Sequence, residues 1–131
     1  NYLKIYIIYT IHYPNKSEDT ETDLNLSNYK VKSIEDEVNY TISYLEKDTF
    51  TIASEFGEVY STFLGSPITI ISESAGVNFT FTIGNPLSGA YKIGDTWEMK
   101  VIPNGKDQII NDYSVPRIIA SNVHINVIET S

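Results

Sequence analysis

Val77-Asn78-Phe79-Thr80-Phe81-Thr82-Ile83 alternates apolar and polar side chains without a break. Successive side chains of a strand point to opposite faces, so this heptapeptide reads as a strand with Val77, Phe79, Phe81 and Ile83 inward and Asn78, Thr80 and Thr82 outward. The same pattern recurs on either side of it. Val38, Tyr40, Ile42 and Tyr44 alternate with Asn39, Thr41 and Ser43; Trp97, Met99 and Val101 alternate with Thr96, Glu98 and Lys100; Val123, Ile125 and Val127 alternate with His124 and Asn126. One buried and one wetted face is the mark of antiparallel sheets. Phe79, Phe81 and Trp97 are the expected anchors of the core.

Composition agrees. Nineteen Ile, eight Val and twelve Thr make thirty-nine β-branched residues of 131, against six Leu and four Ala. β-Branched side chains lose rotamer freedom in helices and pack well on a pleated surface. Turn signals separate the runs at short spacing: Gly57, Gly65-Ser66-Pro67, Ala75-Gly76, Gly84-Asn85-Pro86, Ser88-Gly89, Gly94-Asp95 and Pro103-Asn104-Gly105. Strands are expected near 2–12, 29–34, 38–46, 49–54, 58–64, 68–73, 77–83, 96–102 and 118–129, with a weaker one near 108–113. The whole chain, 1–131, thus reads as a single all-β domain, an immunoglobulin-like Greek-key β-sandwich of about eight or nine antiparallel strands. The stretch 14–28 reads as its one long loop.

Charge and residue inventory exclude several function classes. Nine Lys plus Arg against seventeen Asp plus Glu leave a net charge of −8, which repels nucleic acid and anionic membrane surfaces. With no Cys there is neither a disulfide framework nor a thiolate nucleophile or ligand. His12 and His124 fall on strands and are expected to face outward as plain surface residues. Gly65-Ser66-Pro67 lacks the second Gly and the following helix of a nucleophile elbow. Glu35 and Glu37 belong to a charged turn, and the acidic segment 15–23 lacks the spacing of a calcium loop. The expectation is a protein that is not an enzyme and holds no metal or cofactor.

Two surfaces stand out instead. On the first strand Tyr2, Tyr6 and Ile8 lie opposite Leu3, Ile5, Ile7, Tyr9 and Ile11, so both faces are apolar. The same occurs at Ile118-Ile119 and Val127-Ile128. Tyr6, Ile8, Ile118 and Ile128 are accordingly expected to form an interaction surface, and a homodimer is the simplest way to cover it. Sequons at Asn15, Asn25, Asn39 and Asn78 fit an exposed, cell-surface location. The longest apolar run, Ile5 to Ile11, is far short of the ~20 residues that span a bilayer. Any membrane attachment is expected to come from a segment upstream of Asn1.

A cysteine-free sandwich rich in Ile, Tyr and Asn, with Val77-Asn78-Phe79-Thr80-Phe81, the run Tyr91-Lys92-Ile93-Gly94-Asp95-Thr96-Trp97 and a closing strand from Asn122 to Glu129, resembles the soluble ectodomains of the archaellum accessory proteins FlaF and FlaG. The resemblance covers roughly half the chain and transfers no site residue. It implies an immunoglobulin-like sandwich outside the cell membrane on one N-terminal helix, bound to the surface layer or a filament protein and anchoring the archaellum motor. A carbohydrate-binding module is the alternative, requiring coplanar exposed aromatics on one face. A subunit of a surface filament or capsid is a third reading.

Overall fold

A computed structural model describes residues 4–15, 22–103 and 123–130. Among them nine strands follow one another: β1 (Lys4–Tyr13), β2 (Asn25–Ile34), β3 (Val38–Tyr44), β4 (Thr49–Ser54), β5 (Val59–Phe63), β6 (Pro67–Ser72), β7 (Val77–Gly84), β8 (Thr96–Pro103) and β9 (Val123–Thr130). A single 3₁₀ turn, Glu73–Ala75, is the helical element among the described residues. All neighbouring pairs are antiparallel, in two sheets of order β5-β4-β3-β8-β1-β9 and β2-β7-β6. The protein is an all-β sandwich.

The order carries a Greek key: β2, β7 and β6 occupy the places of strands B, E and D of a variable-type immunoglobulin sheet, and β5-β4-β3-β8 those of C″, C′, C and F. The two folds part at the other rim of the larger sheet. In the immunoglobulin arrangement the last strand lies beside F, whereas here β1 is inserted between β8 and β9, bonded to both. The first strand is therefore interior to its sheet.

That insertion corrects the facing of β1. The longer apolar row, Ile5-Ile7-Tyr9-Ile11, suggests the inward face, but register decides otherwise. Ile8 lies opposite Val101, Thr10 opposite Met99 and His12 opposite Trp97, all of which point at the second sheet, and directly opposed residues share a face. Tyr6 and Ile8, expected at a partner surface, are buried between the sheets, at 8% and 0% exposure. His12, expected outside, is likewise fully buried. On the other face Ile7 and Tyr9 form a second, smaller apolar cluster with Ile11 and Ile102. Ile118 and the side chains of Ile128 and His124 lie outside the described residues, as does the weak strand near 108–113.

Between the sheets Trp97, Tyr40, Phe50, Ile42 and Ile52 of the larger sheet face Phe79, Phe81 and Ile70 of the smaller. Phe79 and Phe81 stack with centroids 5.3 Å apart. β2 begins at Asn25, earlier than its polar sequence suggests, because a register shift between Ser27 and Lys30, with Asn28 at φ 55°, carries the strand through a bulge. β3 stops at Tyr44, and the hairpin turns on Lys47 and Asp48, both at φ 58°. Asp48 holds this left-handed turn by accepting the Tyr44 hydroxyl at 3.0 Å.

Candidate functional site

The most elaborate polar group in the interior is built where β1 ends and β8 begins. Nε2 of His12 donates to Oδ2 of Asp95 at 3.1 Å, with both side chains buried. The backbone N–H of Thr22 donates to His12 Nδ1, also at 3.1 Å, so Nδ1 is the acceptor and Nε2 carries the proton. Asp95 uses its other oxygen to accept the backbone N–H of Asn15 at 2.9 Å. Nε1 of Trp97 donates to the Thr22 carbonyl at 2.8 Å. Asn15 and Thr22 flank the connection between β1 and β2, so both ends of that long loop are tied to one buried histidine–carboxylate pair.

This geometry fits a clasp and not a proton shuttle. A catalytic imidazole presents one ring nitrogen to a substrate while the other is held by its orienting partner. Both nitrogens of His12 have partners inside the protein, and the ring is closed off by Trp97. Among the described residues no group of three or more His, Asp or Glu side chains is placed to hold a metal ion. The sequence signal for the clasp is the shared parity of Ile8, Thr10 and His12; Gly94-Asp95 reads only as a turn.

Around the clasp, one end of the sandwich gathers the β3–β4, β5–β6 and β7–β8 connections. Tyr91 supports them from below: its hydroxyl donates to the Gly84 carbonyl at 2.8 Å and accepts the Asn25 N–H at 3.0 Å, while its ring meets Trp97 and Phe50 edge-on. Burial pushes the Tyr91 hydroxyl up to about 12, with the Asn25 N–H pulling the other way and Asp23 adding to the rise. A shallow cleft of about 290 Å³ opens between Asp48, Leu64, Asn85, Pro86 and Tyr91. Large apolar side chains stand in solvent at this end: Tyr13, Leu45, Leu87 and Ile93, with Leu87 at 84% exposure. The opposite end exposes Phe56, Val59 and Ile71 and is the more acidic. Glu35, Asp36, Glu37, Glu55, Glu58 and Glu73 crowd its three turns, stitched by bonds from Asp36 N to Ala75 O and from Glu55 N to Asn39 O. Lys100 meets Glu37 there at 3.5 Å.

Of the other candidates, Trp97, Phe79 and Phe81 are each fully buried. Among the sequon asparagines Asn15 is exposed, while Asn25, Asn39 and Asn78 are half-buried. The Asn25 amide is engaged with the Asn85 carbonyl at 2.8 Å. No helix among the described residues is long and apolar enough to cross a membrane. Comparison with family models, with curated proteins and with solved structures finds no match to this chain.

Proposed function

We propose that this chain is a non-catalytic binding module of a cell envelope, docking its apolar loop end on an extracellular surface-layer or filament protein. Anchoring of an archaellum motor is the specific form of that role which the family resemblance implies. The observation that carries the reading is the group of exposed apolar side chains Tyr13, Leu45, Leu87 and Ile93 around the loops at one end, whereas at the other end six carboxylates surround the exposed Phe56, Val59 and Ile71. The His12–Asp95 clasp supports it, because it fixes the loop end without offering a reactive nitrogen. Such an end would engage a lattice of identical copies repeatedly, so that feeble single contacts add up.

The sugar-binding reading draws less support. Its stacking platform needs neighbouring exposed rings, and among the described residues the exposed aromatics are Tyr13, Phe56 and Phe63. Tyr13 on β1 and Phe63 on β5 are four strand steps apart in the sheet, or about 19 Å at ~4.8 Å per step. Phe56 lies in the β4–β5 turn at the acidic end.

Retention on isolated surface-layer sheets tests the proposal. The parent should be retained above a control sandwich, and the doubly substituted Leu87→Asp, Ile93→Asp protein should be lost from the sheets while keeping its β-type circular dichroism. No retention of the folded parent, or equal retention of the variant, overturns it.

A further inference from the structure

We infer that two copies of this chain pair through the edge of β5, antiparallel, with Ser61 at the two-fold axis. Such pairing does not depend on the identity of any lattice partner. The backbone groups of β5 that are already bonded locate it. In the β4–β5 ladder Ser54 N bonds to Glu58 O at 2.7 Å and Leu64 N to Asp48 O at 2.9 Å. Antiparallel alternation then makes Tyr60 and Thr62 the bonded positions between them. Val59, Ser61 and Phe63 therefore turn their N–H and C=O groups outward, away from β4. The Phe63 carbonyl accepts Ser66 N at 3.0 Å and lies 3.5 Å from the Thr62 hydroxyl, which is nearer the Ser66 carbonyl at 3.2 Å, so its second lone pair is only weakly engaged.

Bare edges invite pairing, and proteins blunt them with lysine, proline, bulges or cover. The smaller sheet follows that rule. β2 carries Lys30 and Lys32 and a bulged register. β6 starts on Pro67, and its Ile71 carbonyl accepts the Tyr60 hydroxyl at 2.6 Å. β5 has none of these devices. Val59-Tyr60-Ser61-Thr62-Phe63 contains no charge and no proline, and Val59 and Phe63 are 66% and 62% exposed.

The strand also matches itself. With Ser61 opposite Ser61 of the second copy, Val59 falls opposite Phe63 twice, in bonded positions and on one face. Charge fixes the direction. β5 runs from the acidic end, after Glu55 and Glu58, to the uncharged Leu64-Gly65-Ser66-Pro67. Antiparallel pairing sets Glu58 opposite Leu64 and keeps the two acidic ends apart, whereas parallel pairing in register would set Glu58 against Glu58. A net charge of −8 on each copy opposes association, and of the two orientations the antiparallel one repels less. The dimer carries its two apolar loop ends at opposite extremes, and so can bridge two sites.

Because the chain has no Cys, a single introduced thiol reports the contact. Bonded antiparallel positions lie about 5.5 Å apart at Cα, within disulfide reach. Under mild oxidation Ser61→Cys should form a reducible covalent dimer at least ten-fold faster than Ser88→Cys, which sits in the exposed β7–β8 loop. Adding Phe63→Lys should bring the Ser61→Cys rate down to that of the control. In sedimentation equilibrium the unmodified chain should self-associate and Phe63→Lys should not. Crosslinking of Ser61→Cys no faster than the control, a monomer at every concentration, or association untouched by Phe63→Lys each overturns the inference.

Discussion

The imidazole of His12 lies nearly parallel to the indole of Trp97, with ring centroids 5.1 Å apart and planes 19° from each other. The two residues are paired across the β1–β8 ladder, so the stack joins the strand that leads into the long loop to the strand that follows Asp95. The indole N–H reaches the Thr22 carbonyl, and the same residue's N–H reaches His12. Stacking and hydrogen bonding thus converge on one connection. The clasp closes a sandwich whose first strand is inserted where an immunoglobulin domain places its last.

Removing half of the clasp should therefore be expensive. His12→Ala leaves the Asp95 carboxylate buried with one partner fewer and frees the Thr22 N–H, so a loss of about 3–5 kcal/mol is expected. Asp95→Asn keeps the shape and one acceptor oxygen and should cost less, on the order of 1–3 kcal/mol. Urea unfolding followed by the fluorescence of Trp97, the single Trp, measures both. Equal stability of His12→Ala and the parent would remove the clasp from the account of this fold.

How far the sequence discloses all this depends on whether a residue acts through its own strand or across strands. The faultless alternation from Val77 to Ile83 places β7, and the rows through Tyr40 and Trp97 place β3 and β8, because each pattern is local. β1 defeats the same reading. Both of its faces are apolar, as suits a strand interior to a six-stranded sheet, and only pairing with β8 decides which face meets the core. The facing of His12, Tyr6 and Ile8 turns on that same pairing. A bulge at Asn28 hides the start of β2, and a left-handed turn at Lys47-Asp48, with no Gly to announce it, hides the end of β3. The bare edge of β5 is visible as an uncharged pentapeptide, but its place at the rim of the sheet is not.

Gly94 offers a test of how tightly the loop end is drawn to the clasp. Its φ is +94°, and an added Cβ would come within 2.7 Å of Cγ of Asn15. The Asn15 N–H is the donor that holds Asp95 from the loop side. Gly94→Ala should therefore strain the backbone and push Asn15 away, for a loss of about 1–3 kcal/mol. Gly57→Ala is the matched control, with φ +90° but nothing within 4 Å of the new Cβ. Thermal melts should show the Gly94 variant to be the less stable of the two; the reverse order would mean that the Asn15 contact yields freely.

The buried tyrosines set how the fold meets alkali. Tyr91 is held up to about 12 by burial, and Tyr29 and Tyr40 are driven higher still by the same cause, their hydroxyls having no hydrogen-bond partner. Tyr60, Glu58 and Glu55 add to the rise at Tyr40. In the unfolded chain each returns to the ordinary value of about 10. The folded state therefore binds these protons more tightly, and stability falls wherever the unfolded state has lost protons that the folded state retains. The contribution is complete below pH 10 and drains away as the pH climbs from 10 through the folded-state values. Absorbance of tyrosinate and far-ultraviolet circular dichroism, recorded together from pH 8 upward, should show exposed tyrosines ionising first with the sheet signal intact. The buried three should ionise only as that signal collapses. Tyr91→Phe strips a partner from both Asn25 N–H and the Gly84 carbonyl, so it should be less stable at pH 7 and should lose less further stability between pH 10 and 12. Ionisation of every tyrosine in one step near pH 10, with the β signal unchanged, would contradict the burial of these hydroxyls.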